Sequence, residues 1–277
     1  MIYTNQHNLP EWLVRQLIPT EEHPPNPKRM SVTSLIHPPR MRTLLMEKWD
    51  EITVDVSDLL NFFDGNNLDA AFDNEENAQE KLEIDIDGIT LVGKLDLHYS
   101  VPDGEIIVDN KRTKVGALGY NDTVKEWERQ LNCYAWMFTH KTGRPVVGLE
   151  NHVYYKDHSP VKATNPAYPK IAFEVLTQPL WNAKEAEDYI RTQLEYHATA
   201  KMDCPVDERW GSFAVMSKGR KTAHRVCKTI RECEEWMQKN SKGDYIENRE
   251  ALRCKFFCPV RSVCKDSPVY LGDHDVK

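Results

Sequence analysis

The chain has 277 residues, enough for one large domain or for a domain with an appended lobe. Its 40% hydrophobic and 29% charged residues are ordinary for a water-soluble protein, and no apolar stretch approaches the roughly 18 residues that span a bilayer. The net charge of −7 argues against indiscriminate binding of polyanions.

The first 17 residues lack the charged start, apolar middle and small-residue cleavage site of a secretory signal. Seven cysteines in such a chain argue against a disulfide framework, because cytosolic thiols stay reduced. We therefore predict a cytoplasmic protein with no membrane partner, in which closely spaced cysteines bind a metal.

The predicted elements begin with a proline-rich, extended arm at residues 19–39, which carries six prolines. A short helix is expected after Pro39, and another begins at about residue 56. Between residues 82 and 112, three short apolar runs are separated by Asp-Gly pairs. This pattern predicts one antiparallel set of strands.

The hydrophobic period then changes to that of a helix over residues 122–140, where large apolar residues recur on one face. Two strands and a long helix are expected after it, at 146–155, 171–176 and 179–201. Strands followed by helix and strand indicate an α/β or α+β core. We divide the chain into an N-terminal arm with helices, an α/β core and a basic, cysteine-rich lobe, at 1–63, 64–203 and 204–277.

Two aspartates and a lysine stand next to apolar strand residues in the predicted core. Asp96 ends the run Gly-Lys-Leu-Asp, and Asp109 and Lys111 follow the run Ile-Ile-Val. A hairpin through the Pro-Asp-Gly turn at 102–104 would bring Asp96 and Asp109 to one sheet edge. The period of two then places Asp109 and Lys111 on the same face.

Such a cluster suits phosphodiester hydrolysis. Carboxylates hold Mg²⁺ or Mn²⁺, and a lysine beside the cation orients or deprotonates water and stabilises developing negative charge. The alternative is a solvated hairpin whose charged side chains face water. Asp109 and Lys111 directly follow a buried-type apolar run, where an unused charge pair would be out of place.

Gln130 and Tyr134 lie one turn apart on the predicted helix and share a face. A glutamine amide can hydrogen-bond a phosphate or a base, and a tyrosine can stack on a base or brace the lysine. In the alternative interpretation, Tyr134 is a core aromatic residue and Gln130 has no role.

Three motifs, Gly-x-x-Asp, Asp-x-Lys and Gln-x-x-x-Tyr, occur here at 93–96, 109–111 and 130–134. In this order they resemble the RecB-like branch of the PD-(D/E)XK nuclease superfamily, over roughly residues 65–155. The resemblance implies a restriction-endonuclease-like α/β fold, in which a mixed central sheet is flanked by helices. It also implies that Asp96, Asp109 and the Asn110 carbonyl bind Mg²⁺ or Mn²⁺ and that Lys111 is the catalytic lysine.

The sequence departs from the family at one position. The first motif of the family, Gly-x-x-x-His, supplies a further metal ligand, whereas here Gly65 leads to Asp69. An aspartate can also bind a hard cation, so Asp69 is the expected replacement. The alternatives are Asp73, Glu76 and Glu83.

Three cysteines lie within eleven residues near the end of the chain: Cys254, Cys258 and Cys264. Thiolates at such spacing suit Zn²⁺ or an iron–sulfur cluster, and both need a fourth ligand. Cys204, beside a proline, is the favoured fourth ligand. The other candidates are Cys133, Cys227, Cys233 and a histidine.

The run Cys-Pro-Val-Arg-Ser-Val-Cys at 258–264 resembles the C-terminal cysteines of iron–sulfur nucleases, including those of CRISPR adaptation and those encoded by phages. The resemblance implies a structural 4Fe-4S cluster, with Zn²⁺ as the alternative. It further implies an exonuclease that acts on single-stranded DNA or duplex ends in phage replication or recombination, in the host cytoplasm. A helicase, a recombinase or a single-strand-binding protein would be its partner.

Two other functions remain open from the sequence. The first is a nuclease-fold DNA-binding or scaffolding subunit that has lost catalysis. Asp69 in place of the family histidine would then be a sign of that loss. The second is a zinc-binding regulatory protein, which leaves Asp96, Asp109 and Lys111 unexplained.

Overall fold

The computed structural model describes residues 1–19, 23–60, 77–119, 121–205, 207–249 and 251–270. They form two compact units. The core unit comprises Asn5–Ile36 and Asp55–Thr199, and the cysteine unit comprises Met1–Thr4, His37–Val54 and Ala200–Lys277. Residues 1–63, predicted as one segment, are therefore divided between both units.

The elements are numbered in chain order. The helices are α1 Glu11–Leu17, α2 Val32–Ile36, α3 Pro39–Glu47, α4 Asn121–Thr142, α5 Ala183–Thr199 and α6 Ile230–Asn240. The first strands are β1 Ile2–Thr4, β2 Arg29–Ser31, β3 Thr53–Asp55, β4 Lys81–Ile86, β5 Ile89–Lys94 and β6 Leu97–Val101. The others are β7 Gly104–Thr113, β8 Val146–Tyr155, β9 Phe173–Gln178, β10 Ser212–Met216, β11 Arg225–Cys227 and β12 Tyr245–Arg249.

A three-stranded sheet of order β2-β5-β4 lies in the core unit. Strands β4 and β5 form an antiparallel hairpin, and β2 pairs with β5 in parallel. The hairpin turns at Asp87 and Gly88, whose φ angles are 51° and 85°. Two positive φ angles are what a tight hairpin turn demands, and Asp-Gly is among the pairs that adopt them most readily. The predicted turn is confirmed.

A four-stranded sheet of order β6-β7-β8-β9 carries the candidate site. The pair β7–β8 is parallel, and the pairs β6–β7 and β8–β9 are antiparallel, so the sheet is mixed. Helix α4 joins the two parallel strands and contacts both. This mixed sheet with flanking helices is the predicted α/β fold.

The expectation of one antiparallel strand set between residues 82 and 112 was wrong. The apolar run at 89–99 breaks at residues 95 and 96, and its two halves become β5 and β6 in different sheets. Leu95 is fully buried at the break. The predicted arm at 19–39 is also not wholly extended, since it contains helix α2.

The hydrophobic core of this unit lies where α4 packs on the sheets. Leu131, Met137 and Phe138 of α4 are fully buried together with Leu82, Leu91, Ile107 and Leu149 of the strands. The helical period predicted for residues 122–140 thus supplies one side of the core. Within the described residues, no helix has both the length and the apolar character needed to cross a membrane.

A buried polar network lies at the turn between β6 and β7. Glu105 is only 2% exposed. It accepts a hydrogen bond of 2.6 Å from Ser100 and forms an ion pair with Arg144. His98 Nδ1 lies 2.9 Å from the Glu105 carboxylate, and His98 Nε2 lies 3.2 Å from Glu80. Burial by itself would raise the pKa of Glu105, but these hydrogen bonds and the Arg144 charge outweigh it and lower the pKa.

The cysteine unit contains less regular structure. A three-stranded sheet of order β11-β10-β12 packs against α6, and β1 pairs with β3. Its hydrophobic clusters are small: one centres on Leu44, Ile52 and Val260, the other on Val215 with Cys227 and Cys233. A π-helical turn, Arg253–Phe257, holds Cys254.

Candidate active site

Asp109 and Lys111 form an ion pair on β7. Asp109 is 3% exposed, and the Lys111 Nζ lies 2.9 Å from its Oδ1 and 2.7 Å from its Oδ2. Alternation along the strand turns both toward α4, as predicted. A buried carboxylate requires such compensation, because an unpaired charge in the interior costs several kcal/mol.

Asp96 lies in the bend between β5 and β6, next to the pair Leu97–Val108 of the β6–β7 ladder. Its Oδ2 accepts a hydrogen bond of 2.7 Å from the main-chain nitrogen of Asn110. The hairpin therefore brings Asp96 to the Asp109 region, as expected, although Asp96 is not itself on a strand. The side-chain amide atoms of Asn110 are buried and have no hydrogen-bond partner among the described residues.

Helix α4 extends the site through Gln130 and Tyr134. Gln130 Oε1 accepts a hydrogen bond of 2.9 Å from Lys111 Nζ, and Gln130 Nε2 donates one of 3.1 Å to the Tyr134 hydroxyl. A continuous series of hydrogen bonds thus runs from Asp109 through Lys111 and Gln130 to Tyr134. The structure brings these four predicted residues together.

Tyr134 packs against Gly93 of β5. A Cβ atom at position 93 would lie 2.8 Å from the Tyr134 Cε1 atom, so only glycine leaves room for this ring. Burial, followed by the negative charge of Asp109 and then of Asp96, raises the pKa of the Tyr134 hydroxyl. The hydroxyl therefore stays protonated and available as a donor at neutral pH.

Two residues that we did not predict complete the surroundings of Asp109. Asn151 of β8 donates a hydrogen bond of 2.8 Å to Asp109 Oδ2, and Gln178 of β9 donates one of 2.8 Å to Asn151 Oδ1. Asn151 is fully buried and Gln178 is 5% exposed. The signal in the sequence was an asparagine at an inward position of a strand, between Leu149 and Val153, where an apolar residue is usual.

The predicted third acidic ligand is a different case. Asp69 and its alternatives Asp73 and Glu76 lie outside the described residues. Glu83 is half exposed on β4, where its ion pair of 2.6 Å with Arg29 lowers its pKa. In the part of the chain that the structure describes, no three His, Cys, Asp or Glu side chains are grouped so as to hold one metal ion.

A separate pocket in the cysteine unit is lined by all four predicted cysteine ligands: Cys204, Cys254, Cys258 and Cys264. The enclosed space is small, about 20 Å³, and the pocket is partly open to solvent. Burial raises the pKa of the Cys258 thiol to about 11 and also raises those of Cys204 and Cys254. The sequence-based choice of Cys204 as the fourth residue matches this grouping.

The remaining cysteines do not line this pocket. Cys227 ends β11 and lies beside Cys233 of α6 in another cluster. Cys133 is buried in α4 in the core unit, where desolvation raises its pKa to about 12.

Three arginines surround the cysteine pocket. Arg40, Arg209 and Arg253 line it together with Asp266, which is ion-paired with Arg40 and, at 3.1 Å, with Arg209. Burial raises the pKa of Cys204, and the positive charges of the three arginines act in the opposite direction to a smaller extent. Cationic surroundings of this kind favour thiolates, which are the form that binds metals.

One family model, that of the PD-(D/E)XK nuclease superfamily, matches residues 41–265. Among solved structures, the crystal structure of SSO0001 is 16% identical, with a TM-score of 0.46 over 69% of this chain and 85% of that one. A protein from Eubacterium rectale, provisionally named an exonuclease, is 15% identical, with a TM-score of 0.33 over 53% of this chain and 52% of that one. A comparison with curated proteins found no match.

Proposed function

The chain belongs to the PD-(D/E)XK nuclease superfamily, and on that premise we propose that it hydrolyses DNA phosphodiester bonds with Mg²⁺ or Mn²⁺. The observation that carries the proposal is the series Asp109–Lys111–Gln130, in which a buried carboxylate and an amide oxygen hold one ammonium group. Nucleases of this superfamily generally use divalent cations.

The residues present fit such a cation. Asp96 and Asp109 both raise the pKa of the Tyr134 hydroxyl, so both carboxylates lie within electrostatic range of one group. Carboxylate and carbonyl oxygens are the ligands that Mg²⁺ and Mn²⁺ prefer. Asp96, Asp109 and the Asn110 carbonyl would hold the cation, with Asp69 as a further ligand. When bound, the cation supplies Lewis acidity at the scissile phosphate.

Lys111 is the residue proposed to act on water and phosphate. Its ammonium group carries three hydrogens, and Asp109 and Gln130 orient it from two sides. A hydrogen directed at the substrate would position the attacking water or stabilise negative charge on a phosphate oxygen. Gln130 and Tyr134 hold this lysine in place, while Asn151 and Gln178 fix the Asp109 carboxylate.

We also propose that Cys204, Cys254, Cys258 and Cys264 hold a 4Fe-4S cluster. All four cysteines line the same pocket, so they can supply four thiolates to one centre. Four thiolates suit either Zn²⁺ or a 4Fe-4S cluster. The choice of the cluster rests on the likeness of the cysteine run at 258–264 to iron–sulfur nucleases.

The proposed cluster is structural, and the proposed substrate is single-stranded DNA or a duplex end. Both follow from the likeness of the motifs at 93–134 and of the cysteine run at 258–264 to phage-type iron–sulfur exonucleases. A helicase, a recombinase or a single-strand-binding protein of the same replication or recombination system would supply such strands.

The test is a cleavage assay with the intact, anaerobically purified protein on end-labelled single- and double-stranded DNA. Mononucleotides or short products should appear with Mg²⁺ or Mn²⁺ and disappear with a chelator. The labelled end that is lost first gives the polarity. DNA binding without any product, under every divalent cation, would contradict the nuclease and favour the scaffolding alternative.

A further inference from the structure

Three aromatic side chains of the cysteine unit are exposed and contact one another. Trp210, Phe256 and Phe257 are 43%, 51% and 58% exposed. The ring centroids of Trp210 and Phe257 are 5.4 Å apart, and those of Phe256 and Phe257 are 6.3 Å apart. We call these three residues the aromatic surface. Contiguous apolar area of this kind is characteristic of a binding site rather than of ordinary protein surface.

Both chain segments that present these rings adopt uncommon backbone conformations. Trp210 has a φ of 52°, in the left-handed region that bulky residues rarely adopt. Phe256 and Phe257 end the π-helical turn Arg253–Phe257, a form frequently found at functional sites. Such backbone conformations cost free energy and persist where the surrounding structure holds them.

Cations accompany the rings. The Lys255 ammonium lies 5.3 Å from the Phe256 ring centroid. The Arg253 guanidinium lies 5.3 Å from that of Trp210, but it is buried and ion-paired with Glu208, so it supports the ring and adds no surface charge. Arg261 donates a hydrogen bond of 2.7 Å to the Phe256 carbonyl. Residues 249–265 contain five Lys or Arg and one Glu, although the whole chain has a net charge of −7. This surface thus combines π faces with positive charge.

We propose that the aromatic surface stacks the unpaired bases of single-stranded DNA. Exposed rings next to cations are the combination that single-strand binders use, because every base has a π face and every phosphate a negative charge. A duplex conceals its base faces, so it would leave the rings without a stacking partner. The choice of DNA as ligand rests on the proposed nuclease function, whereas stacking itself does not.

The experiment measures binding of a fluorescein-labelled oligothymidine to the intact protein by fluorescence anisotropy, with chelator present to prevent cleavage. Trp210→Ala, Phe256→Ala and Phe257→Ala should each weaken binding roughly 5- to 150-fold, the range for loss of one stacked base. Trp12→Ala is the matched control, since Trp12 is 62% exposed in α1 of the core unit. It should leave binding unchanged.

Two variants at one position distinguish stacking from apolar contact. Phe257→Tyr keeps the ring and should bind as the wild type does, whereas Phe257→Leu keeps apolar volume without a π face and should bind as weakly as Phe257→Ala. Iron content per chain is measured for each variant, because Phe257 adjoins Cys258 in sequence. If Phe257→Leu binds normally and Phe257→Ala does not, apolar volume at this position is sufficient for binding and stacking is excluded.

An oligonucleotide of abasic sites, with the same backbone charge, completes the test. The wild type should bind it more weakly than Phe257→Ala binds the oligothymidine, because all three rings then lack a base to stack on, and Phe257→Ala should weaken this binding no further. If Phe257→Ala weakened binding of the oligothymidine and of the abasic oligonucleotide by the same factor, stacking would be excluded. Cleavage is assayed separately with Mn²⁺: binding without cleavage would refute the nuclease and leave the stacking surface intact, while cleavage with unaltered binding by all three alanine variants would do the reverse.

Discussion

The core unit and the cysteine unit are held together in different ways. In the core unit, α4 and two sheets enclose one large hydrophobic cluster that includes Leu82, Leu131 and Phe138. In the cysteine unit, the two clusters are small, and four cysteines instead converge on one pocket. A small hydrophobic core provides little stability without a metal or disulfide cross-link. The core unit is thus stabilised by burial, and under the proposed cluster we expect the cysteine unit to depend on metal binding.

The largest expected effect comes from a substitution that should destabilise only the cysteine unit. Cys258→Ser should remove iron, the brown colour and the stability of the cysteine unit, because metal-binding free energy is folding free energy when ligands converge only on folding. In calorimetry, a low-temperature transition should appear for the cysteine unit, while the transition of the core unit is retained.

The matched control for that change is Cys233→Ala. Cys233 is fully buried in the same unit but packs against Cys227, apart from the pocket. Cys233→Ala should therefore keep the iron. Loss of iron from this variant with full retention in Cys258→Ser would show that the wrong cysteines were assigned.

Asn151→Leu sharpens the comparison at the core unit. It removes the hydrogen bond to Asp109 but preserves much of the buried volume, so we expect cleavage to fall about 10- to 100-fold, as for other residues that orient metal ligands. The Mn²⁺ concentration for half-maximal activity should rise, and the iron content should not change. A variant with normal cleavage at limiting Mn²⁺ would exclude this positioning role.

Gly93→Ala tests whether Tyr134 braces the lysine. The new methyl group would lie 2.8 Å from the Tyr134 ring, which must move away from Gln130. Overpacking of this kind costs about 1–3 kcal/mol in unfolding experiments, and cleavage should fall with it. Gly116→Ala is the control, because nothing lies within 4 Å of a Cβ atom there. Equal activity of both variants would argue against the brace.

The smallest expected effect is a change in pH dependence. The pKa of Glu105 is lowered in the folded chain. Its contribution to stability is therefore complete above the unfolded value of about 4.3 and is lost as pH falls through the folded value. Measured by urea unfolding, the free energy of unfolding of Glu105→Gln should depend less on pH in this acidic range. The substitution should cost about 1–3 kcal/mol near neutral pH. Asp188→Asn, which removes an exposed ion pair with Lys184 on a helix, should leave this pH dependence unchanged.

The local part of the core unit could be predicted from the sequence. Asp109 and Lys111 share a face because a strand alternates, and Gln130 and Tyr134 share a face because a helix repeats, so both pairs follow from spacing alone. Asn151 and Gln178 could not be predicted in the same way. They reach Asp109 through the parallel pairing of β7 with β8 and the next strand along, and such pairings leave no short-range pattern.

Other features were missed for similar reasons. The break at residues 95 and 96 falls inside an apolar run, so composition does not mark where β5 ends and β6 begins. The strands β10 to β12 are three to five residues long and lack clear alternation. By contrast, the ability of a cysteine to bind metal depends on the residue type and not on its secondary structure. For this reason Cys204 could be chosen as a ligand although it lies fifty residues before Cys254.

The central claim is that Asp109 and Lys111 have separate roles at one site. It is tested most directly by measuring Mn²⁺ binding and DNA cleavage together in Asp109→Asn and Lys111→Ala, with Lys114→Ala as control for an exposed lysine nearby. We predict that Asp109→Asn loses Mn²⁺ binding, and that Lys111→Ala still binds Mn²⁺ but cleaves at least about 100-fold more slowly. Cleavage by Lys111→Ala at the rate of Lys114→Ala would contradict the account.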